Sequence, residues 1–166
     1  IHLYRAKVTP PSRHNCVKGL KSFDRFFYVV KGEINIHNQS GTDVKAPAGT
    51  VVYLPSDVEY TSFWSDFEAG EYITLQFILK DDENRHLALS DSSVVIAKDK
   101  NGELHSLFSA AYDEYIRHEA FAGVRLNQLF FEVFHKIIKR YNRSLYKEQA
   151  GSSGVYKAII HINDHF

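Results

Sequence analysis

The sequence predicts an α+β chain, mostly β, in which a small barrel or sandwich of short strands is followed by helices. Three observations carry that expectation. Between Phe26 and Pro55, short extended runs are closed by Gly or Pro at intervals of about ten residues, the punctuation of a compact all-β unit. Glu71 to Leu79 alternates from side to side as a strand does. Beyond residue 100 the apolar period lengthens from two to the helical repeat.

Taken in order, Ile1 to Val8 reads as a short edge strand, and Thr9-Pro10-Pro11-Ser12 breaks it. The segment from there to residue 22 reads as irregular. Phe26 to Val30 is an apolar β-branched and aromatic run stopped by Lys31-Gly32. Glu33 to Asn38 alternates and ends at Gln39-Ser40-Gly41. After Asp43-Val44-Lys45 and the turn Ala46-Pro47-Ala48-Gly49, Thr50 to Leu54 ends at Pro55. Val58 to Trp64 is extended, Ser65 to Gly70 is an acidic loop, and Asp81 to Asn84 is a charged turn. Ser93 to Ala97 completes the β part, and Lys98 to Gly102 separates it from the helices.

The first helix opens near Glu103, with Leu104, Leu107, Phe108, Ala111 and Tyr115 on one face. The second runs from about Gly123 to Tyr141. Its apolar residues Leu126, Leu129, Phe130, Phe131, Val133, Phe134, Ile137, Ile138 and Tyr141 cover roughly 200°, wider than one buried face needs. The surplus implies a second contact, either an extra layer of this chain or a partner subunit. The dimer set is Leu126, Phe130, Phe131, Phe134, Ile137, Ile138 and Tyr141. Tyr146 to Gly154 reads as a linker, and Val155, Ile159, Ile162 and Phe166 begin another amphipathic helix. The expected division is therefore 1–100 for the barrel, 103–146 for the helical pair, and 147–166 for the linker and a further helix.

Composition removes several function classes. The chain has 166 residues, with 20 acidic and 20 basic residues in balance. Nucleic-acid and anionic-membrane binders carry a basic surplus that this chain lacks. Cys16 is the single cysteine, which excludes an intrachain disulfide and a thiolate zinc cluster. No apolar run reaches the roughly 18–20 residues of a membrane span, and no signal peptide opens the chain. A cytoplasmic protein is expected. The start at Ile1 and the absence of Met suggest a piece of a longer chain.

Catalytic motifs are thin. His161 and His165 stand at i, i+4, a possible ligand pair that reads more simply as a solvated helix face. His118-Glu119 lacks the second His of a zinc-protease motif, and His37 reads as exposed. His14 and Cys16 are neighbours in an irregular segment without an orienting third group. The serines lie in turns with no nucleophile elbow. The basic cluster Lys136, Lys139, Arg140, Arg143 and Lys147 suits a helix C-terminus.

A polar and aromatic lumen remains as the candidate site. Arg25, Phe27, Val29 and Lys31 share one side of the first long strand, and Tyr72, Thr74 and Gln76 share one side of the later one. If both sets face inward, they offer cations, an amide, hydroxyls and aromatic faces to a polyhydroxylated or anionic molecule. Tyr60 and Trp64 would stand near the opening. The alternative orientation puts Ile73, Leu75 and Phe77 inside and leaves the polar set in solvent. Periodicity fits both.

The glycine Gly32 and the turn Pro47-Ala48-Gly49 resemble those of the cupin family, a jelly-roll barrel (double-stranded β-helix). The family's metal ligands are not matched: Leu20, Lys21 and Arg25 stand near the first ligand positions, and Glu59 or Tyr60 near the last. No metal and no cofactor are expected. With Val29 to Gly32, Ala46 to Tyr60 and Ile159 to Phe166 taken in order, the chain resembles the N-terminal part of an AraC-family transcriptional regulator. That resemblance implies a small-molecule effector, often a sugar, held in the barrel, with Lys31, Tyr72 and Thr74 at matching positions. Tyr60 stands where the family often has His, so that contact is not carried over. The lumen reading adds Arg25, Phe27, Tyr60, Trp64 and Gln76 to the expected effector set. The resemblance also implies a homodimer formed through the helices, and DNA contact only through a later helix-turn-helix region. The alternative is a metal-independent cupin enzyme such as a sugar isomerase or epimerase, which needs an acid/base pair in the lumen.

Overall fold

The run around Phe26 becomes the middle of the molecule because its side chains find apolar partners on both faces of the strand. A computed structural model of the chain describes residues 1–17, 19, 22–64, 69–117 and 119–150, the last seven as helix backbone alone. The strands are β1 (His2–Val8), β2 (Ser12–Cys16), β3 (Asp24–Lys31), β4 (Glu33–Asn38), β5 (Asp43–Pro47), β6 (Thr50–Leu54), β7 (Tyr60–Trp64), β8 (Gly70–Phe77) and β9 (Val94–Lys98). The helices α1 (Glu103–Arg117) and α2 (Ala122–Ala150) follow.

The strands form two sheets, ordered β1-β8-β3-β6-β9 and β2-β7-β4-β5, and the pairings within both are antiparallel. Strands from distant parts of the chain therefore lie side by side, as in a jelly roll. Strand alternation divides the core in two. Phe27 and Val29 of β3 join Val52, Leu54, Ile34, Ile36, Tyr60 and Trp64 between the sheets. Phe26 and Tyr28 point the other way, to Tyr53, Ile73, Leu75 and Phe77 and to the helices. The middle strands of the five-stranded sheet, β3 and β6, are thus buried on both faces, which is why they read as unbroken apolar runs rather than alternating ones.

Two glycines close the end of the barrel where β3 turns into β4 and β5 into β6. Gly32 (φ 80°) and Gly49 (φ 77°) hold the left-handed backbone that side chains disfavour. The turns are bonded to β3 and to each other: Gly49 N–H donates to the Val29 carbonyl at 2.8 Å and Ala48 N–H to the Gly32 carbonyl at 2.9 Å.

Aromatic packing fixes the helices to the sheet. The Phe26 ring lies 4.6 Å from that of Phe77 and 6.0 Å from that of Phe134, and Phe130 lies 5.5 Å from Phe77. Each such side chain contributes about 1.5–3 kcal/mol on burial, so this cluster holds α2 firmly. Polar contacts add direction. The buried Asp99 carboxylate accepts the His105 N–H in the first turn of α1 at 2.9 Å and the Tyr28 hydroxyl at 3.2 Å. Glu103 pairs with Lys136 and Arg140 of α2.

Several expectations change. Residues 12–16, read as irregular, form β2, an edge strand pairing only with β7. Its residues are too polar to show a strand period. Residues 146–150, expected as the start of a linker, belong to α2, which continues through Ala150. The expected further helix, with His161 and His165, lies outside the described residues. The wide apolar arc of α2 is largely answered within the chain. Phe130 and Ile137 are buried in the sheet–helix core, and Leu126, Phe134, Ile138 and Tyr141 pack partly against it. Phe131 alone of the seven dimer candidates stands out, 66% exposed. The arc is broad because α2 meets both α1 and β9. No described helix is long and apolar enough to cross a membrane.

Candidate ligand cavity between the sheets

The register of β3 against β8 decides the orientation that periodicity left open. Arg25 pairs with Gln76, Phe27 with Thr74 and Val29 with Tyr72, and Phe27 and Val29 belong to the inter-sheet core. The polar set of β8 therefore faces the lumen, while Ile73, Leu75 and Phe77 pack beneath the helices. Arg25, Phe27, Tyr72 and Gln76 line a cavity of about 330 Å³ together with Tyr60 and Trp64 of β7. That volume falls at the small end of ligand pockets, about 300–1,000 Å³.

One wall is aromatic. Phe27 stacks on Tyr72 at 4.4 Å between centroids and 23° between planes, and Trp64 lies nearly parallel to Tyr72 at 6.0 Å. Tyr4 of β1 meets Tyr72 edge-on at 5.8 Å. These rings leave no gap for another ring between them. Gly70 makes room for Trp64: a Cβ there would stand 2.4 Å from the indole.

The other wall is polar. Arg25 is 4% exposed, and its guanidinium donates to the Tyr60 hydroxyl at 2.7 Å. Its Nε is buried without a partner among the described residues, as is Oγ1 of Thr74, which is fully buried between Phe27 and Tyr4 in register. Burial pushes the Tyr60 phenol well above its ordinary range, although the Arg25 charge pulls against it. Tyr72 is pushed up to about 12, chiefly by burial and then by Tyr4, with Arg25 again opposing. Both phenols stay protonated at neutral pH and act as hydroxyl donors and acceptors.

Of the eight expected ligand residues, the structure gathers six around the cavity and buries Thr74 behind it. Lys31 is elsewhere. A β-bulge between Val29 and Lys31 breaks the alternation, and Lys31 ends exposed at the strand terminus. Tyr60 and Trp64, expected near the opening, are 5% and 6% exposed and lie deep. The exposed Arg13 and His14 of β2, with Tyr4 and Ser62, line the cavity as well. Sequence reading missed Arg13 and His14 with their strand. Tyr4 had a signal, since it alternates with the buried Leu3.

The donor set does not fit a metal. A buried guanidinium occupies the lumen, and no group of three or more His, Cys, Asp or Glu side chains is gathered among the described residues. A second polar cluster joins Asp24, Ser56 and His86. Asp24 is fully buried and accepts from Ser56 N–H at 2.7 Å. His86 contacts both Asp24, at 2.9 Å, and the Ser56 hydroxyl, at 3.5 Å, through the same nitrogen, Nε2. A catalytic relay needs the two ring nitrogens on separate partners. This cluster pins the 80–90 loop to β3.

Fold and cavity together define a cupin-like jelly-roll domain with two helices behind it. ToxT from Vibrio cholerae has a similar fold at TM-score 0.58 and 12% identity, over 84% of this chain and 56% of that one. The chain thus spans about half of ToxT's length. The cupin domain of an XRE-family transcriptional regulator from Enterobacter cloacae matches 47% of this chain and 81% of its own, at TM-score 0.41 and 12% identity. A putative ethanolamine utilization protein Q from Salmonella typhimurium matches 45% of this chain and 55% of its own, at TM-score 0.39 and 13% identity. No protein-family model and no curated protein matches the chain.

Proposed function

We propose that this chain is the ligand-sensing domain of a transcription regulator of the AraC type. It binds a small sugar or sugar derivative between its sheets and passes the bound state to its helices. The observation that carries this reading is the lumen itself: a small cavity with one aromatic wall and one wall of fixed donors, in a fold whose homologous position commonly holds metal ligands. Aromatic faces suit the C–H faces of sugar rings, and Arg25, Tyr60, Ser62 and Gln76 offer bonds to hydroxyls. The likeness to ToxT, an AraC-family protein, extends over the helices as well as the barrel, which supports a regulator over a free-standing barrel. Binding is favoured over catalysis because both lumen phenols are poor acids at neutral pH and no carboxylate of the described residues lines the cavity.

The route from cavity to helices is short. Phe27 touches the lumen while Phe26 and Tyr28, its neighbours on β3, touch α2 and α1. A ligand that shifts β3 shifts the helix seat, provided it binds the two arrangements unequally. Homodimerisation through the outer face of α2 around Phe131, and DNA contact through a region beyond this chain, complete the proposal. A thermal-melting screen of sugars, sugar acids and sugar phosphates tests it, since a ligand selective for the native state raises its melting temperature. A family of related hits supports the reading, and a flat screen defeats it.

A further inference from the structure

Resting on that reading, we infer that the cavity's ligand carries a single carboxylate, held by Arg25 with Tyr60 beside it. Arg25 is 96% buried, and its contacts within the described residues are the Tyr60 hydroxyl at 2.7 Å and the face of the Tyr60 ring at 5.8 Å. Among the described residues no carboxylate pairs with it, and its Nε has no hydrogen-bond partner. A buried guanidinium normally sits against an anion, because taking an uncompensated charge out of water is costly. The phenols cannot supply that anion at neutral pH, since burial keeps Tyr60 and Tyr72 protonated.

A guanidinium that lines a cavity matches a planar carboxylate, which accepts charge-assisted bonds from it. A neutral sugar would satisfy the donors and leave the charge unmatched. A phosphate would bring close to two negative charges against one buried cation. The remaining surface, Ser62 and Gln76 beside the aromatic wall, suits a compact hydroxylated body. The ligand class is therefore a sugar acid rather than a neutral or phosphorylated sugar. The exposed Arg13 and His14 at the lumen's edge lie where an anion enters.

The test compares matched compounds on the same chain by thermal melting and calorimetric titration: D-glucose with D-glucuronate, D-gluconate and glucose 6-phosphate, and D-galactose with D-galacturonate. The expected result is that an acid binds at least about tenfold tighter than its neutral counterpart, the scale of a charge-assisted bond. Arg25→Gln should abolish that preference, and without ligand it should melt no lower than the wild type. A large fall in melting temperature would mark Arg25 as structural and overturn the inference. Should Arg25→Gln fail to fold, Tyr60→Phe keeps the cation, and it should weaken the acid by a larger factor than its neutral counterpart; an equal loss for both overturns the inference. A neutral or phosphorylated sugar that binds as tightly as the acid overturns the inference and leaves the sensor reading standing. If no compound of the panel binds, the sugar-sensor reading fails and takes the inference with it.

Discussion

Gly70 shows how much one missing side chain positions. Its φ is ordinary, so space and not conformational freedom explains the residue: the Trp64 indole occupies the volume a Cβ would take. Overpacking of this kind costs about 1–3 kcal/mol. Gly70→Ala should lower stability by that amount in denaturant unfolding and change Trp64 fluorescence, because the indole must leave its place beside Tyr72. The buried phenols give a second residue-scale prediction. Tyr28, Tyr53, Tyr60 and Tyr72 all have phenols raised above the ordinary 10.0, mainly by burial. The native state then holds protons that the unfolded chain releases, so stability is complete below pH 10 and falls as pH rises through 12 and beyond. Phenolate absorbance should therefore appear together with loss of tertiary structure, and free titration of all ten tyrosines in a folded protein would contradict this. At this scale the sequence was partly legible. The inward placement of Arg25, Tyr72 and Gln76 was one of two readings that period two allows, and the β3–β8 register selected it. Lys31 was misplaced because a bulge leaves no mark in composition.

The element that changed most is α2. Its apolar arc was visible from periodicity alone, but its partners were not, since a helix wedged between a sheet and another helix has the same pattern as one shared between subunits. Adjacent phenylalanines now separate the two roles. Phe130→Ala removes a ring packed on Phe77 and Phe134 and should cost about 3–5 kcal/mol. Phe131→Glu changes an exposed position and should leave stability within about 0.5 kcal/mol, while sedimentation should show it shifting a dimer to monomer. If the wild type sediments as a monomer at high concentration, the α2 dimer is wrong. The strands followed a simpler rule. β4 and β6 were bounded correctly because Gly and Pro close them, whereas the polar β2 became a strand only through pairing with β7, a long-range contact that local pattern does not encode.

At the scale of the whole molecule, one sheet serves two cores. Its inner face builds the cavity and its outer face seats the helices, so that Phe27 and Phe26, one residue apart, belong to different compartments. This arrangement was foreshadowed by the order of strands, turns and helices. The long-range strand order and the buried charge in the lumen needed the folded structure. The central claim is that the space between the sheets is a ligand site and not a packing defect. Calorimetric titration of the strongest hit from the sugar panel into the wild type and into Ser62→Phe, whose added ring fills the lumen, tests it most directly. The account predicts one-to-one binding to the wild type and at least about a tenfold loss in the filled variant, the equivalent of 1.4 kcal/mol. Equal binding to both proteins would place the ligand elsewhere and contradict the account.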